Sequence, residues 1–496
     1  MKIQRLIALL IAALICSLHA HAQGPGGVSA NLRLWLKGNT GVTGSPVSAW
    51  ADQSGNGFSA AQATVVARPA VIANRLNFNP AIQFDGVNDQ LVITNGILGG
   101  ATYTNVHIFA IVRTNAISGS SVFLESLPSG NRLNVHIPWS DNSLYWDAGS
   151  TDANQRISTP WVSVVNQSYL WSFTASTTAT PSGQKQDIYR NGLILANDNT
   201  MTSFVGGNNN FSIGNGFGFF NGEVAEFVVY TGALTVAQLN RIHSYLAIKY
   251  GITIDQSTAR NYIASDNSVV WNAGTMASYA NDIAGIGRDG NATLDQRKST
   301  SSNTPADVIT MANSSISAPT ALSADLQFLV WGHNGQALSA DPAGSSFVHN
   351  GTTIQSAIKR VWGTFKTGTP AGNVIVQVNM SQVGNGTNAN ADIRLLVDND
   401  ATFGNASAGE RVIAPTVGFG ATGGLVEFAV PYANLAAGQS FITLGTVNSA
   451  TAPLVTPSPG GVVATTKLWL KADQGVTGAP VSAWNDQSGN GFSAVQ

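Results

Sequence analysis

The sequence has few charged residues. Asp, Glu, Lys and Arg make up 10% of its 496 residues, whereas an average soluble protein has roughly 25%. The 24 Lys+Arg and 26 Asp+Glu leave a formal net charge of −2. A chain without a positive field cannot hold a phosphate backbone, so nucleic acid is excluded as an expected partner. Only five of the 26 acidic residues are glutamate, whereas the chain has 52 glycines. Because glutamate is a strong helix former and glycine favours turns, this composition favours a β protein.

Cysteine is also nearly missing, and the one residue, Cys16, lies in an N-terminal export pattern. Lys2 and Arg5 precede an apolar run over residues 6–18, and small residues flank His21, so we predict a signal peptide over residues 1–22. A lipoprotein signal at Cys16 is the alternative, but the preceding Ile15 is not small. The mature chain then has no disulfide, and we expect a secreted or extracellular cell-surface protein. No later stretch is apolar for the ~18 residues that a transmembrane helix needs.

The chain repeats its own beginning. Residues 25–62 recur at 459–496, and 28 of these 38 positions are identical. The repeat unit of about 430 residues is far longer than a solenoid period, so each unit is itself multidomain. We predict a linker over residues 448–461, rich in Pro, Ser, Thr and Gly, and the truncated start of a second copy over residues 462–496. We therefore expect the sequence to be a fragment of a longer array or a reading frame cut short.

Aromatic and hydrophobic residues are plentiful, with 11 Trp, 20 Phe, 10 Tyr and 44% hydrophobic residues, which excludes intrinsic disorder. Short apolar runs separated by Gly, Asn, Ser and Pro predict β-strands throughout residues 27–252 and again over residues 253–447. Asn191-Gly192 predicts a two-residue hairpin turn. One helix is expected at 235–250, where Thr235 and Gln238 form a capping box and Gly251 is the stop. The fold class is therefore all-β, with a sandwich or jelly roll first and a second β-rich domain after it.

Five motifs of the first region occur in order at plausible spacing: LWLK followed by VSAWADQSGNG, IQFDGVNDQL, IYRNGLIL and NGEVAEFVVYTGALTVAQLNRIHSYLAIKYGI. Together they resemble the laminin G-like, concanavalin A-like jelly-roll domains of bacterial surface proteins, particularly of the Bacteroidetes type. The next segment, with YIASDNSVVWNAG and FLVWGHN, resembles a β-rich domain of unknown function that often follows this jelly roll. The resemblance implies a two-sheet sandwich, display outside the cell, calcium at the sandwich rim, and glycan or protein binding.

The loop Asp52-Gln-Ser54-Gly-Asn56-Gly57 is the first candidate metal site. Oxygen-bearing side chains at alternate positions followed by glycine resemble the first half of a calcium loop, although Ala63 stands where a bidentate Glu would be. Asp85 and Asp89 could add carboxylates at the same rim. The alternative for both segments is a tight Asx turn that needs no ion. The pattern returns at Asp486, and a weaker candidate is Asp398-Asn399-Asp400.

Other motifs argue against catalysis. The acids Glu223 and Glu226 are three residues apart in one predicted strand, which should place them on opposite faces. The glycine-rich run at 285–290 lacks the helix that a dinucleotide site requires, and the histidines show no zinc spacing. Trp139, Trp146, Trp161 and Trp171 could stack on sugars or fill a core.

We therefore predict a non-catalytic module that binds glycan or a surface protein, with Ca²⁺ as a candidate cofactor. A polysaccharide hydrolase that brings together acids from distant strands is the first alternative. A structural spacer in a repeat array is the second.

Overall fold

A computed structural model describes residues 23–117, 119–149, 155–303, 308–339, 346–383, 389–418, 424–448, 468–472, 475–486 and 493–495. The predicted signal peptide and nearly all of the predicted linker lie outside these residues. The chain forms two compact units. The first contains the residues up to Leu246 together with Ile263–Ser268 and Asp289–Leu294, and the second contains the rest.

Short strands dominate the first unit, as the turn-rich sequence predicts. In chain order they are β1 (Leu32–Lys37), β2 (Val42–Thr43), β3 (Ala49–Trp50), β4 (Ala60–Ala61), β5 (Ala70–Leu76), β6 (Asn79–Asp85), β7 (Leu91–Ile93), β8 (Thr102–Tyr103), β9 (Asn105–Thr114), β10 (Ser121–Ser126), β11 (Arg132–His136), β12 (Ser143–Ala148), β13 (Arg156–Pro160), β14 (Ser168–Ser176), β15 (Gln186–Arg190), β16 (Leu193–Asp198), β17 (Phe204–Val205), β18 (Phe211–Ile213) and β19 (Asn221–Tyr230).

Two antiparallel sheets make the sandwich of this unit. Sheet A has the strand order β16-β15-β14-β9-β19-β6-β5, with β1 also paired to β19. Sheet B has the order β13-β12-β11-β10-β18-β7-β4-β3-β2. One apolar core takes alternate side chains from both sheets, such as Ile108 and Val112 of sheet A and Val135 and Trp146 of sheet B. The other side chains of each strand consequently face away from this core.

Two local predictions are confirmed. Asn191 and Gly192 have φ of +49° and +81° and join β15 to β16, as a type I′ hairpin requires. Helix α1 spans Val236–Tyr250, and Thr235 and Gln238 form the capping box: Gln238 N donates to Thr235 Oγ1 at 3.2 Å, and Thr235 N donates to Gln238 Oε1 at 2.8 Å.

A second sandwich follows, with its own core. The remaining elements before residue 448 are β20 (Tyr262–Ile263), β21 (Val269–Trp271), β22 (Asn281–Asp289), β23 (Leu294–Gln296), β24 (Lys298–Ser299), β25 (Ile309–Asn313), β26 (Gln327–His333), β27 (Phe347–His349), β28 (Thr352–Ile354), β29 (Ser356–Ala357), β30 (Trp362–Thr367), β31 (Asn373–Asn379), α2 (Met380–Val383), β32 (Ile393–Asp398), β33 (Arg411–Ile413), β34 (Leu425–Pro431) and β35 (Gly438–Thr446).

The core of the second unit lies between a larger and a smaller sheet. The larger has the order β23-β22-β26-β30-β35-β32-β33, with β29 also paired to β35, and the smaller has the order β24-β25-β31-β34. Leu329 and Trp331 of the larger sheet pack in one cluster with Val376 and Phe428 of the smaller. The all-β prediction is thus confirmed. The described helices include none long and apolar enough to cross a membrane.

The repeated segment near the end of the sequence keeps the local contacts of the first copy. It forms β36 (Val476–Thr477), β37 (Ala483–Trp484) and β38 (Ala494–Val495). Trp469 N donates to Asp486 Oδ1 at 2.9 Å, as Trp35 N does to Asp52 Oδ1 at 3.0 Å. None of its described apolar side chains is fully buried, however, and Val495 is 79% accessible. A three-strand segment has no second sheet on which to bury an apolar face.

Candidate functional site

A cleft lies on the face of sheet B that is turned away from the core. In β11, Leu133 and Val135 point into the core, so Arg132, Asn134 and His136 point out. The same alternation turns Tyr145 and Asp147 of β12 and Arg156 of β13 outward. The pairing register places Tyr145 opposite His136, and Asp147 opposite both Asn134 and Arg156.

We call this site the aromatic cleft. It has a volume of about 290 Å³. Its lining residues are Arg132, His136, Trp139, Asp141, Tyr145, Arg156 and Phe217.

Asp147 holds the floor of the aromatic cleft together. Its carboxylate is fully buried and accepts from Arg132 Nε at 2.6 Å and from Arg156 Nε at 2.5 Å. Arg156 Nη2 adds a bond of 3.0 Å, and Asn134 Nδ2 one of 3.3 Å. The hydrogen bond to Asp147 raises the pKa of Arg156 further. A buried carboxylate needs such partners, because an unpaired buried charge is strongly destabilising.

His136 lies beside this ion pair as a neutral ring. Its Nδ1 is 3.2 Å from the carbonyl oxygen of Ser120, which can only accept, so Nδ1 carries the hydrogen. Its Nε2 then accepts from Asn134 Nδ2 at 2.8 Å. Burial lowers the pKa of His136 to about 4. The ring therefore contributes shape and packing to the cleft at neutral pH, with no charge.

Three aromatic side chains form the walls. The Trp139 ring centroid lies 4.4 Å from that of His136 and 6.1 Å from that of Phe217, whose side chain is 52% exposed. The Arg132 guanidinium lies 4.5 Å above the Phe217 ring, and the Arg156 guanidinium lies 4.8 Å above the Tyr145 ring. These cation–π contacts hold the guanidinium planes in place.

Asp141 is at the exposed rim of the cleft. Its Oδ2 accepts from the Tyr145 hydroxyl at 2.5 Å, and its Oδ1 accepts from Ser143 N at 3.0 Å. The bond to Tyr145 lowers the pKa of Asp141 and raises that of Tyr145. Asp141 therefore stays ionised and fixes the position of the tyrosine ring.

The four tryptophans considered for sugar stacking or for core packing lie in different places. Trp139 borders the cleft, whereas Trp146 and Trp171 are fully buried in the core, and Trp161 is partly buried and stacks on Trp171. Sequence reasoning missed the arginines, Asp147, Tyr145 and Phe217. The signal for most of them was the alternation of polar and apolar residues in RLNVH at 132–136 and SLYWDA at 143–148, which placed polar side chains on one face.

The first predicted calcium segment forms a hydrogen-bonded turn. Asp52 Oδ1 accepts from Trp35 N at 3.0 Å and Ser54 N at 2.9 Å, and Oδ2 accepts from Ser54 Oγ at 2.7 Å and Phe58 N at 3.0 Å. Asn56 Nδ2 donates to the carbonyl oxygen of Leu32 at 2.8 Å. Four hydrogen bonds occupy the acceptor sites of a carboxylate. The turn is thus closed without a cation, and calcium binding by Asp52, Ser54 and Asn56 stays a prediction.

The second predicted segment is a turn of the same kind. Asp85 Oδ1 accepts from the backbone of Val87, Asn88 and Asp89, and Asp89 Oδ2 accepts from Asp85 N at 3.1 Å. Across the described residues, no three His, Cys, Asp or Glu side chains form a group that could hold a metal ion. Asp85 and Asp89 are therefore together, but neither joins Asp52 in a three-acid cluster.

The expected arrangement of Glu223 and Glu226 is wrong. A β-bulge between Val224 and Glu226 adds one residue to β19, and Val224 and Phe227 both enter the core. The two acids therefore share the outer face of sheet A. Both carboxylates are nonetheless occupied: Arg75 and Arg113 bind Glu223 at 2.7 Å, while Trp35 Nε1 and the Tyr245 hydroxyl donate to the fully buried Glu226.

The glycine-rich run and His333 of the second unit both have structural roles. The glycine-rich run at 285–290 lies mostly within β22, which confirms that it does not open a helix. A cavity of about 510 Å³ lies beside the same strand, and His333 and Asp282 are among the residues that line it. His333 Nδ1 accepts from Gly335 N at 2.9 Å, so its Nε2 donates to Asp282 Oδ2 at 2.8 Å. Both ring nitrogens are thus used within the protein.

Comparison with known proteins gives a family only for the middle of the chain. A family described as a domain of unknown function (DUF8202) matches residues 238–422, which lie mostly within the predicted second domain. No curated protein matches the sequence. The laminin G-like assignment of residues 27–252 remains a prediction.

Solved structures with similar folds are distant. Domain 4 of AbnA, a GH43 extracellular arabinanase from Geobacillus stearothermophilus in complex with arabinotriose, is 17% identical, with a TM-score of 0.33 over 43% of this chain and 98% of that one. Trypanosoma rangeli sialidase in complex with sialic acid is 16% identical, with a TM-score of 0.31. The match covers 44% of this chain and 33% of the sialidase chain. The binding domain of Botulinum neurotoxin serotype D is 12% identical, with a TM-score of 0.37 over 88% of this chain and 100% of that one.

Proposed function

We propose that the first unit is a non-catalytic module that binds glycan in the aromatic cleft. The observation that carries this proposal is the combination of aromatic walls with a floor of fixed hydrogen-bonding groups. The C–H faces of a sugar ring pack on aromatic planes, and its polar substituents need directed partners at the same time. Trp139, Tyr145 and Phe217 supply the planes, and Arg132 and Arg156 supply N–H groups.

Contacts within the protein hold the side chains of the cleft in place without a ligand. Asp147 fixes both guanidinium groups, Asp141 fixes Tyr145, and the rings of His136 and Trp139 are in contact. A site whose side chains are already ordered loses less conformational entropy on binding. This preorganisation supports a recognition role.

The acids of the cleft favour binding over hydrolysis. Glycoside hydrolysis uses two carboxyl groups on opposite sides of the scissile bond. Among the described lining residues, Asp141 is the one carboxylate, while Asp147 lies beneath the floor with its oxygens bound to arginines. A purely structural spacer, in turn, would have no need for an open cleft with an exposed Phe217 beside the half-buried Trp139 and Tyr145.

Retention on immobilised polysaccharides tests the proposal with the full chain. We expect affinity electrophoresis on a polysaccharide panel to show retention that Trp139→Ala and Phe217→Ala each reduce about tenfold or more. Phe78→Ala is the matched control, since Phe78 is a 36% exposed aromatic residue outside the cleft.

Three results would contradict the proposal. Absence of retention on every polysaccharide, with calcium and with chelator, would favour the spacer. Retention that the cleft variants leave unchanged would place binding elsewhere. Release of reducing ends from a retained polysaccharide would favour the hydrolase.

A further inference from the structure

We infer that the aromatic cleft selects acidic sugars, which carry a carboxylate or sulfate group, over neutral ones. This inference rests on the proposed glycan binding and names the class of glycan. It follows from the balance of hydrogen-bond donors and acceptors in the cleft floor.

The acceptors of the floor are already used. Asp147 Oδ1 and Oδ2 together accept from Arg132, Arg156 and Asn134. His136 Nε2 accepts from Asn134, and its Nδ1 carries a hydrogen. Asn134 Oδ1 is buried, so a ligand cannot reach it. Asp141, at the rim, has one hydrogen bond on each carboxylate oxygen.

The donors of the floor are in excess. Arg132 uses Nε for Asp147, and among the described residues neither of its Nη groups has an acceptor. Arg156 uses Nε and Nη2 for Asp147, and its Nη1 has no acceptor within the part of the chain that the structure describes. Both side chains line the cleft and remain accessible, at 18% and 29% of their surface. The Trp139 indole N–H likewise has no acceptor among the described residues.

This surplus suits an anionic group. A sugar hydroxyl donates as well as accepts, so the O–H groups of a neutral sugar on this floor would lack acceptors. A carboxylate or sulfate only accepts, and its oxygens match the fork of a guanidinium. The charges of the cleft also suit an anionic ligand. Two arginines face one buried aspartate, and Asp141 is in solvent, where its negative charge is screened.

Matched pairs of glycans that differ in the acidic group provide the test, with the full chain. The pairs are polygalacturonate and its carboxyl-reduced form, sialyllactose and lactose, and dextran sulfate and dextran. We expect isothermal titration calorimetry to show at least about tenfold tighter binding of the acidic member in one pair, with an affinity that falls as salt rises. The pair that shows the difference identifies the carboxylate or the sulfate as the recognised group.

Variants of Arg132, whose Nη groups are open to a ligand, test whether the preference for acidic glycans arises in the cleft. We expect Arg132→Gln to reduce binding of the acidic glycan to the level of its neutral partner, and Arg132→Lys to recover part of it, because lysine keeps the charge but not the fork. Asp147 keeps its two bonds to Arg156 in both variants, and melting curves verify their folding. Arg190→Gln is the matched control, since Arg190 binds Val162 and Ser163 away from the cleft.

The outcomes separate the two proposals. Equal binding of both members of every pair that binds would overturn the acidic preference and leave glycan binding intact. An acidic preference that Arg132→Gln does not alter would also overturn it, because the recognised charge would then lie outside the cleft. Absence of binding to all members would overturn the acidic preference too, and retention on the polysaccharide panel then decides separately whether glycan binding itself holds.

Discussion

At the scale of single residues, three buried acids of the first unit are stabilised in different ways. Asp147 is paired with two arginines, and Glu226 accepts from Trp35 and Tyr245. Among the described residues, Glu125 accepts hydrogen bonds from two backbone donors alone, Ile97 N at 3.3 Å and Leu98 N at 3.4 Å, and it has no exposed surface. Burial therefore raises the pKa of Glu125 to about 7. Gly96 makes this close packing possible, since a Cβ there would lie 2.4 Å from Glu125 Oε1.

Glu125 makes the stability of the first unit dependent on pH. Between its ordinary pKa of 4.5 and its folded value of about 7, the folded state holds a proton that the unfolded state has released. The contribution of this group to the free energy of unfolding is therefore full below pH 4.5 and lost as pH rises through 7. We expect Glu125→Gln to gain about 3 kcal/mol relative to wild type between pH 4.5 and 8, measured by urea unfolding.

The control for this prediction is Glu427→Gln. Glu427 is half-buried and accepts from Gln377 on the neighbouring strand. We expect its variant to keep the pH dependence of the wild type. A constant difference between Glu125→Gln and wild type across this pH range would contradict the assignment.

The turn at Asp52 provides a second prediction. Its carboxylate accepts four hydrogen bonds that hold the loop against β1, so we expect Asp52→Ala to lower the free energy of unfolding by about 2 kcal/mol in the presence of chelator. Differential scanning calorimetry of wild type and variant, with millimolar calcium and with chelator, gives the measurement. A calcium-dependent rise in wild-type Tm that Asp52→Ala abolishes would confirm the predicted calcium site. A loss of stability confined to calcium-containing buffer would contradict the hydrogen-bond explanation.

At the scale of elements, the sequence predicted features that depend on neighbouring residues, but it did not predict a feature that depends on pairing between distant strands. The hairpin at Asn191-Gly192 and the start of α1 follow from two to four neighbouring residues, and both are where the sequence places them. The bulge in β19 has no such local signal. It arises because β19 pairs with both β9 and β6 and must keep Val224 and Phe227 in one core. Counting alternate positions along β19 therefore gave the wrong face for Glu226.

The capping box of α1 gives the prediction at this scale. Thr235 Oγ1 accepts from Gln238 N, one of the backbone groups without an intrahelical partner. We expect Thr235→Ala to lower the free energy of unfolding by about 1 kcal/mol, because that N–H loses its acceptor, and Thr235→Ser to retain most of the stability. Urea unfolding provides the comparison, with the exposed Val236→Ala as control. Equal stability of the Ala and Ser variants would contradict a capping role.

At the scale of the whole molecule, the first compact unit includes two segments that follow residue 252 in the chain, and the domain boundary predicted at that residue stays a prediction. Ile263–Ser268 and Asp289–Leu294 belong to it. The Ser265 carbonyl accepts from Arg241 Nη1 at 2.5 Å, and Lys37 Nζ donates to Thr293 Oγ1 at 2.8 Å. Asp289 in turn accepts from Ser265 N and Oγ at 2.8 and 2.7 Å. A fragment that ends at residue 252 loses all of these partners.

Two fragments test the boundary. We expect residues 23–294 to melt several degrees above residues 23–252, since lost hydrogen bonds to charged groups cost about 2 kcal/mol in total or more. Thermal melts followed by tryptophan fluorescence provide the measurement. Equal melting temperatures would support the boundary at 252, and the variant Arg241→Gln in the longer fragment shows how much of any difference Ser265 accounts for.

The sequence alone determined the β-rich class, the repeat, the hairpin and the helix start, because composition, self-similarity and turn chemistry depend on neighbouring residues. Only the tertiary structure decided which polar side chains meet. Arg132, Asp147 and Arg156 lie on three different strands, and their meeting depends on the register of β11, β12 and β13. Register is fixed by how apolar side chains fill the core between the sheets, and no short stretch of sequence contains that information.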